Sequence, residues 1–431
     1  MAQLRTLRVI SRTSTMHYKG TKETVPQIAR ELGIDTVVEG SVERVGDQVR
    51  IRVQLIDATH DRHLWAQSYD REFKDLLSLE STAAHDIAAE IQGQLTTPNS
   101  NSLAGNMRSI SPDAYDSYLK GRYFANQRSE GGLKKSVDYF EDAIAKDPSF
   151  AAAYAGLAAA YSVMGSDTMP AEIASSKARE AASRAVQLDP TTVEGHAQMG
   201  LVAFYYDWNW KQAEQEFRRA IELNPSYAPA HQWYCYYLRA MGRLPEALQQ
   251  AKEASQLDPL SLPIKITLAG RYRDLHQYDE AMAVIQRTLD FDPDFELAHE
   301  VLGSIYERQG KPELALSEWK TAVKLSKNNP SVLAALGHSY AIGGNKPAAR
   351  KIAEQLQPNS KHKYVSAWDM AVLFTSLGEP QRALDWLEKS YEGHESQIPF
   401  LLQDQRLAPL RSNPRFLKLV RRVGLPVGSL S

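Results

Sequence analysis

A mainly helical protein, built as an α-solenoid of stacked helix pairs behind a small α/β domain, is what this sequence predicts. Two observations carry that prediction. A self-similarity with a 34-residue period runs through the chain from about residue 111. A period-two alternation is confined to the first ~95 residues.

The long period is read from three small or apolar residues at fixed distances before a proline. Ala247, Ala251 and Ala254 precede Pro259 by 12, 8 and 5 residues. The same offsets place Ala281, Ile285 and Thr288 before Pro293, and Ala213, Phe217 and Ala220 before Pro225. They recur as Ala178, Ala182 and Ala185 before Pro190, and as Ser136, Phe140 and Ala143 before Pro148. Alanine at a helix crossing lets two antiparallel helices approach closely, and a large residue between the alanines wedges against the next pair. The proline ends one pair before the next begins. No single pair can bury its apolar face, so each depends on its neighbours. The second repeat carries about eight extra residues around 166–172. The sixth lacks its proline, and Pro330 follows three residues late.

The N-terminal region has a different pattern. Residues 7–11 (LRVIS) are a short β-branched run. Residues 25–32 (VPQIAREL) suit a short helix stopped by Gly33. Residues 36–45 and 48–58 then alternate around Gly46-Asp47. In the second run Val49, Ile51, Val53 and Leu55 point one way, and Arg50, Arg52 and Gln54 the other. A turn at 59–61 leads to residues 63–69, completing an antiparallel three-strand meander. Asp61, His63 and Trp65 on this hairpin are accounted for by turn chemistry and strand packing. Helical spacing returns over 75–95, and residues 96–110 read as a polar linker.

Composition narrows the classes. The formal net charge is −2, which gives no concentrated positive surface for nucleic acid. Cys235 is the only cysteine, so no internal disulfide forms. No stretch approaches the ~20 apolar residues of a bilayer span, and the start has no signal-peptide core. As written, the chain is expected to be cytoplasmic; an extracytoplasmic position remains open if it belongs to a membrane-anchored parent.

The repeat residues resemble the tetratricopeptide family. Its first-helix signature, leucine-glycine then tyrosine, is matched by Leu302-Gly303 with Tyr306 and by Leu336-Gly337 with Tyr340. Leu157-Ala158 with Tyr161 follows the same pattern. Eight repeats start near residues 111, 151, 193, 228, 262, 296, 330 and 364, giving an array over 111–392 and a capping segment over 393–431. Six basic residues at 406–426, interleaved with Phe416, Leu417 and Val420, suit a cap with a polar outer face. Residues 1–95 resemble a TolB N-terminal-like α/β domain, as found before such arrays in CadC-type regulators, class III adenylate cyclases and serine/threonine kinases. In that family a strand and a helix precede the segment RVISRTS. The resemblance therefore implies a truncated domain, a sheet short of one strand, and an exposed apolar edge.

No chemistry is legible. Gly343-Gly344-Asn345-Lys346 lacks the rest of a phosphate-binding loop, and HExxH, calcium-loop and GxSxG patterns are missing from the sequence. No cofactor or metal is expected. Cys235 reads as a small core residue. His196, His231 and His299 share a repeat position, but helices ~8–10 Å apart cannot bring them to the ~2 Å that zinc demands. They are expected to pack between repeats.

The resemblance also implies a concave surface lined by first helices. On this register it carries Phe204, Tyr205, Tyr236, Arg239, Arg273, Asp274, Glu300, Glu307 and Arg308, rich in the aromatics and arginines that anchor interfaces. The groove positions hold no asparagine, which disfavours an adaptor for chaperone tails. The expected function is a non-catalytic scaffold of a bacterial signalling or regulatory system, binding a protein or peptide in this groove. The alternative is the sensory fragment of a larger winged-helix regulator, cyclase or kinase whose effector lies upstream.

Overall fold

The computed structural model describes residues 8–72, 86–87, 90, 110–126, 130–167, 171–356 and 365–426. The N-terminal part contains α1 (Arg12–His17), α2 (Val25–Leu32), and strands β1 (Thr36–Val45), β2 (Gln48–Asp57) and β3 (Arg62–Glu72). Helix α2 ends on Gly33, whose φ of 62° lies in the left-handed region that glycine tolerates. The sheet order is β1-β2-β3, antiparallel throughout. Val49, Ile51, Val53 and Leu55 are buried on one face of β2 while Arg50 and Arg52 face solvent. Among the described residues strand β1 lies at an edge, and its Val38, Val42 and Val45 are exposed. The helix expected over 75–95 and the linker over 96–110 lie almost wholly outside the described residues.

The β-branched run of residues 7–11 forms no strand over its described residues 8–11. Ser11 instead caps α1, its side chain accepting from the Ser14 amide, and this segment lies on the helical array. The Val9 amide donates to Ser226 Oγ at 3.3 Å and the Ser11 amide to the Leu257 carbonyl at 2.7 Å. Ser14 Oγ donates to Asp258 Oδ1 at 2.6 Å and accepts from the Leu260 amide at 3.0 Å. Pairing with turns of the array satisfies backbone groups that a sheet would otherwise take up.

The array consists of successive helix pairs. Pair 1 is α3 (Pro112–Asn126) with α4 (Glu130–Lys146), and pair 2 is α5 (Ala151–Asp167) with α6 (Ala171–Leu188). Pair 3 is α7 (Val193–Tyr205) with α8 (Trp210–Leu223), and pair 4 is α9 (Ala228–Ala240) with α10 (Leu244–Leu257). Pair 5 is α11 (Leu262–Asp274) with α12 (Tyr278–Phe291), and pair 6 is α13 (Glu296–Arg308) with α14 (Pro312–Leu325). Pair 7 is α15 (Pro330–Ile342) with α16 (Lys346–Gln355), and pair 8 is α17 (Ala367–Leu377) with α18 (Pro380–Glu392). Two short 3-10 turns (Ile398–Phe400 and Gln405–Leu410) and α19 (Pro414–Val423) follow.

The residues that set the period are those that pack. All five triplets read from the sequence are at most 1% exposed. The large aromatic wedges meet glycines on first helices: a Cβ on Gly200 would stand 2.6 Å from the Phe217 ring, and one on Gly303 3.0 Å from Trp319. Pair 2 takes up its extra residues by lengthening, its helices running to 17 and 18 residues. Before pair 7 the missing proline is replaced by Lys327 and Asn328 at positive φ, followed by an Asn329 cap.

Candidate functional site

The three histidines are staples between neighbouring pairs. His196 Nδ1 meets Glu216 Oε2 at 2.6 Å and its Nε2 meets the Pro190 carbonyl at 3.0 Å. His231 bridges Gln250 and the Pro225 carbonyl in the same way, and His299 bridges Glu318 and the Pro293 carbonyl. Each ring ties a second helix to the turn before its own pair, which agrees with the packing expected of them. Cys235 is fully buried, and burial pushes its thiol above the ordinary value. Among the described residues no three His, Cys, Asp or Glu side chains gather as a metal site.

The inner face is a different matter. Its predicted residues come together, but they do not present an open groove. The chain after pair 8 turns back across the first helices of pairs 3 and 4. Phe400 lies against Phe204, ring centroids 5.9 Å apart, and the Arg239 guanidinium sits 4.7 Å over the Phe400 ring. Trp208, at the turn of pair 3, stacks on His394 at 4.5 Å and meets Tyr391 at 5.0 Å. Gly424 lies beside Trp210, so close that an added Cβ would be 3.4 Å from the indole nitrogen. Pairs 3 to 8 therefore close into a ring through the C-terminal segment. Leu401, Leu407, Leu410 and Phe416 are buried in the core that seals it.

Each expected interface residue has an intramolecular role. Phe204 is fully buried, which corrects its assignment to an exposed surface. Tyr236 Oη is 2.7 Å from Thr267 Oγ1. Tyr205 packs on Phe204 at 4.5 Å. Arg239, Arg273 and Arg308 converge on Asp274, at 2.9, 3.1 and 3.7 Å, joined by Arg271 at 2.9 Å. Burial opposes ionisation of Asp274, but the four guanidinium groups outweigh it and hold the carboxyl far below the usual range. Glu307 accepts from Trp319 Nε1 at 2.7 Å. Glu300 has its carboxyl pushed up to about 8, by burial and then by the neighbouring Glu296.

Sequence reasoning missed the residues that the C-terminal segment brings inside. Asp404 and Arg406 form a two-pronged pair, with Nη2 to Oδ2 at 2.6 Å and Nε to Oδ1 at 3.0 Å. Asp404 adds its field at Arg239, and Arg406 at Glu300, Glu307 and Asp369. The segment thus lays its negative group toward the basic zone and its positive group toward the acidic one. The pattern Asp-x-Arg in a polar stretch was the available signal. The buried leucines around it mark the stretch as internal.

Residues 238–305 match the tetratricopeptide repeat family model. The helical part of the chain is a tetratricopeptide-like solenoid, and the small antiparallel sheet stands before it. A putative adenylate cyclase 3 of Rhizobium meliloti is 32% identical over 151 residues, covering 35% of this chain and 26% of that protein. The transcriptional regulator HilA of Salmonella typhimurium is 28% identical over 151 residues, 35% of this chain and 27% of that one. The chain thus spans about a quarter of the length of these curated relatives. A tetratricopeptide repeat protein from Parabacteroides merdae superposes with a TM-score of 0.44 at 13% identity, over 62% of this chain and 99% of that one. The Cut9–Hcn1 assembly gives a TM-score of 0.43 at 16% identity, over 70% and 58%. No helix among the described residues is long and apolar enough to cross a membrane.

Proposed function

We propose that this chain is a non-catalytic protein-interaction scaffold of a bacterial signalling or regulatory system. The observation that carries the reading is the leading face of the array. Helix α3 leaves Leu119 43% and Tyr123 64% exposed, on a pair that no other pair precedes among the described residues. Later in the array the corresponding faces are covered by the previous pair, as at Val202. Apolar side chains left uncovered at the end of a repeat array mark an interaction surface. With the inner face of pairs 3 to 8 covered by the C-terminal segment, this end face is where the partner docks.

The test is cross-linking and co-purification from the native host with the full chain and with a Leu119→Ser, Tyr123→Ser double variant. A partner captured by the wild type and lost from a folded double variant supports the reading. Identical capture by both removes this surface from it.

A second reading, that this region serves as the sensory or interaction part of a longer regulator, adenylate cyclase or kinase, is favoured by the names of the two curated relatives. Sequencing the DNA upstream of codon 1 decides it. In-frame winged-helix, cyclase or kinase coding sequence supports it; a stop codon followed by a ribosome-binding site sinks it.

A further inference from the structure

Four arginines and one aspartate meet inside the ring, and their charges do not balance. We propose that Arg239, Arg271, Arg273 and Arg308, gathered around Asp274, form a binding site for a small multivalent oxyanion of the phosphate type. The proposal goes beyond the scaffold reading and does not depend on it.

The charge count comes first. Four guanidinium groups against one carboxylate leave three positive charges. Helices α9, α11 and α13 end at Ala240, Asp274 and Arg308, so three helix carboxyl ends lie close by. Each brings roughly half a negative charge, about 1.5 in total, and an excess of about 1.5 remains. Neighbouring acids do not remove it. Asp404 is committed to Arg406, and Glu307, whose carboxyl burial raises, is bonded to Trp319.

The donors come second. Arg271 is only 5% exposed, yet its Nε finds no protein acceptor, and Arg273 Nε is in the same position. A buried donor without an acceptor carries the full cost of its desolvation. The remaining donors are directed at a single carboxylate, at Ser304 Oγ (2.7 Å from Arg273 Nη1) and at Cys235 Sγ, a weak acceptor 3.8 Å from Arg271 Nη1. Burial, with repulsion from the neighbouring guanidinium groups, pulls Arg239 and Arg273 below their ordinary values despite Asp274. Arg271 is shifted upward, because Asp274 together with Cys235 and Tyr236 outweighs its burial. An added oxyanion would supply acceptors to these donors and offset the repulsion at once. Planar guanidinium forks match the oxygen spacing of phosphate.

Access sets the size. The side chains of Arg239, Arg273 and Arg308 retain 15, 17 and 22% exposure, under a lid made by Phe400. Side chains covered to this extent can be reached by a small anion, and they offer a polypeptide no broad surface.

The test uses the full chain, titrated with inorganic phosphate and, separately, pyrophosphate, against chloride at matched ionic strength. Thermal denaturation and calorimetric titration are the readouts. Wild type should show saturable stabilisation by one or both oxyanions and none by chloride. Arg308→Gln, at the most exposed of the four, should weaken the apparent affinity about tenfold or more, as expected for loss of one charged hydrogen bond. Arg415→Gln, on the outer face, should leave it unchanged. Asp274→Asn removes the competing carboxylate and should tighten binding if it folds; Arg308→Gln carries the test if it does not. Equal stabilisation of wild type and Arg308→Gln, or chloride matching the oxyanions, overturns the proposal.

Discussion

Phe400 rests edge-on against Phe204, the two ring planes at 73°, although one belongs to the C-terminal segment and the other to the third helix pair. This contact, with the Arg239 guanidinium 4.7 Å over the Phe400 ring, holds the segment across the inside of the array. Phe400→Ala should cost about 2 kcal/mol, the lower part of the range for a buried aromatic because Phe400 is only partly buried. Urea denaturation measures the loss. Faster proteolysis near residues 393–397 should accompany it, and an unchanged cleavage rate would show that the ring closes without Phe400.

Glu395 caps a helix from outside that helix. Its carboxylate accepts from the Ala367 and Trp368 amides, both at 2.8 Å, and from Ser390 Oγ at 2.6 Å. These are amides of the first turn of α17, where a negative charge is favoured. Glu395→Ala leaves several donors unmet around buried Trp368 and should destabilise by about 2–3 kcal/mol. Glu395→Gln should recover part of the loss, as read by chemical denaturation.

The Glu300 carboxyl, ordinarily near 4.5, is raised to about 8 in the fold. Between those values the folded chain keeps a proton that the unfolded chain has lost. Stability therefore falls as pH rises through that window, then levels. Asp369, raised by burial to about 6, acts the same way at lower pH. Buried His338, lowered to about 3, acts oppositely below 6.5. Above 6.5 His338 no longer contributes, and comparing variant with wild type between 6.5 and about 8 cancels the part that the raised His196 and Glu307 add. Across it Glu300→Gln should remove a decline of about 2 kcal/mol. Parallel stability–pH curves for variant and wild type would rule out the raised carboxyl.

Two glycines on first helices, Gly200 in α7 and Gly270 in α11, should respond with opposite sign. Ala at Gly200 would press its Cβ onto Phe217, a clash of about 1–3 kcal/mol that exceeds the ~1 kcal/mol gain in helix propensity. Ala at Gly270 meets nothing within 4 Å and should stabilise by about 0.5–1 kcal/mol. Thermal denaturation of both variants checks the pair together.

The array was legible because its packing rule repeats. Alanine, a wedge residue and proline recur at fixed offsets, and each recurrence reports a local contact. The meander was legible for the same reason, through the alternation of Val49, Ile51, Val53 and Leu55. What could not be read is what joins distant parts once. Nothing periodic tells that Phe400 meets Phe204, that Trp208 stacks on His394, or that Ser14 bonds Asp258. The inner-face residues were placed on the correct helices, yet Phe204 is buried and the arginines turn on Asp274, because the covering segment lies outside the repeat pattern.

An open solenoid loses its repeats one at a time from the ends, since each touches only its neighbours. The contact of Trp208 and Trp210 with Tyr391, His394 and Gly424 changes that, because it makes pairs 3 to 8 a hoop. A hoop has no loose end to peel. Those pairs should melt together as one cooperative unit, while pairs 1 and 2, which lie outside the closure, should fray more readily. Closing the hoop also requires chain segments far apart in sequence to meet before the gain is realised, so the last folding step should be slower than the stacking of any two neighbouring pairs.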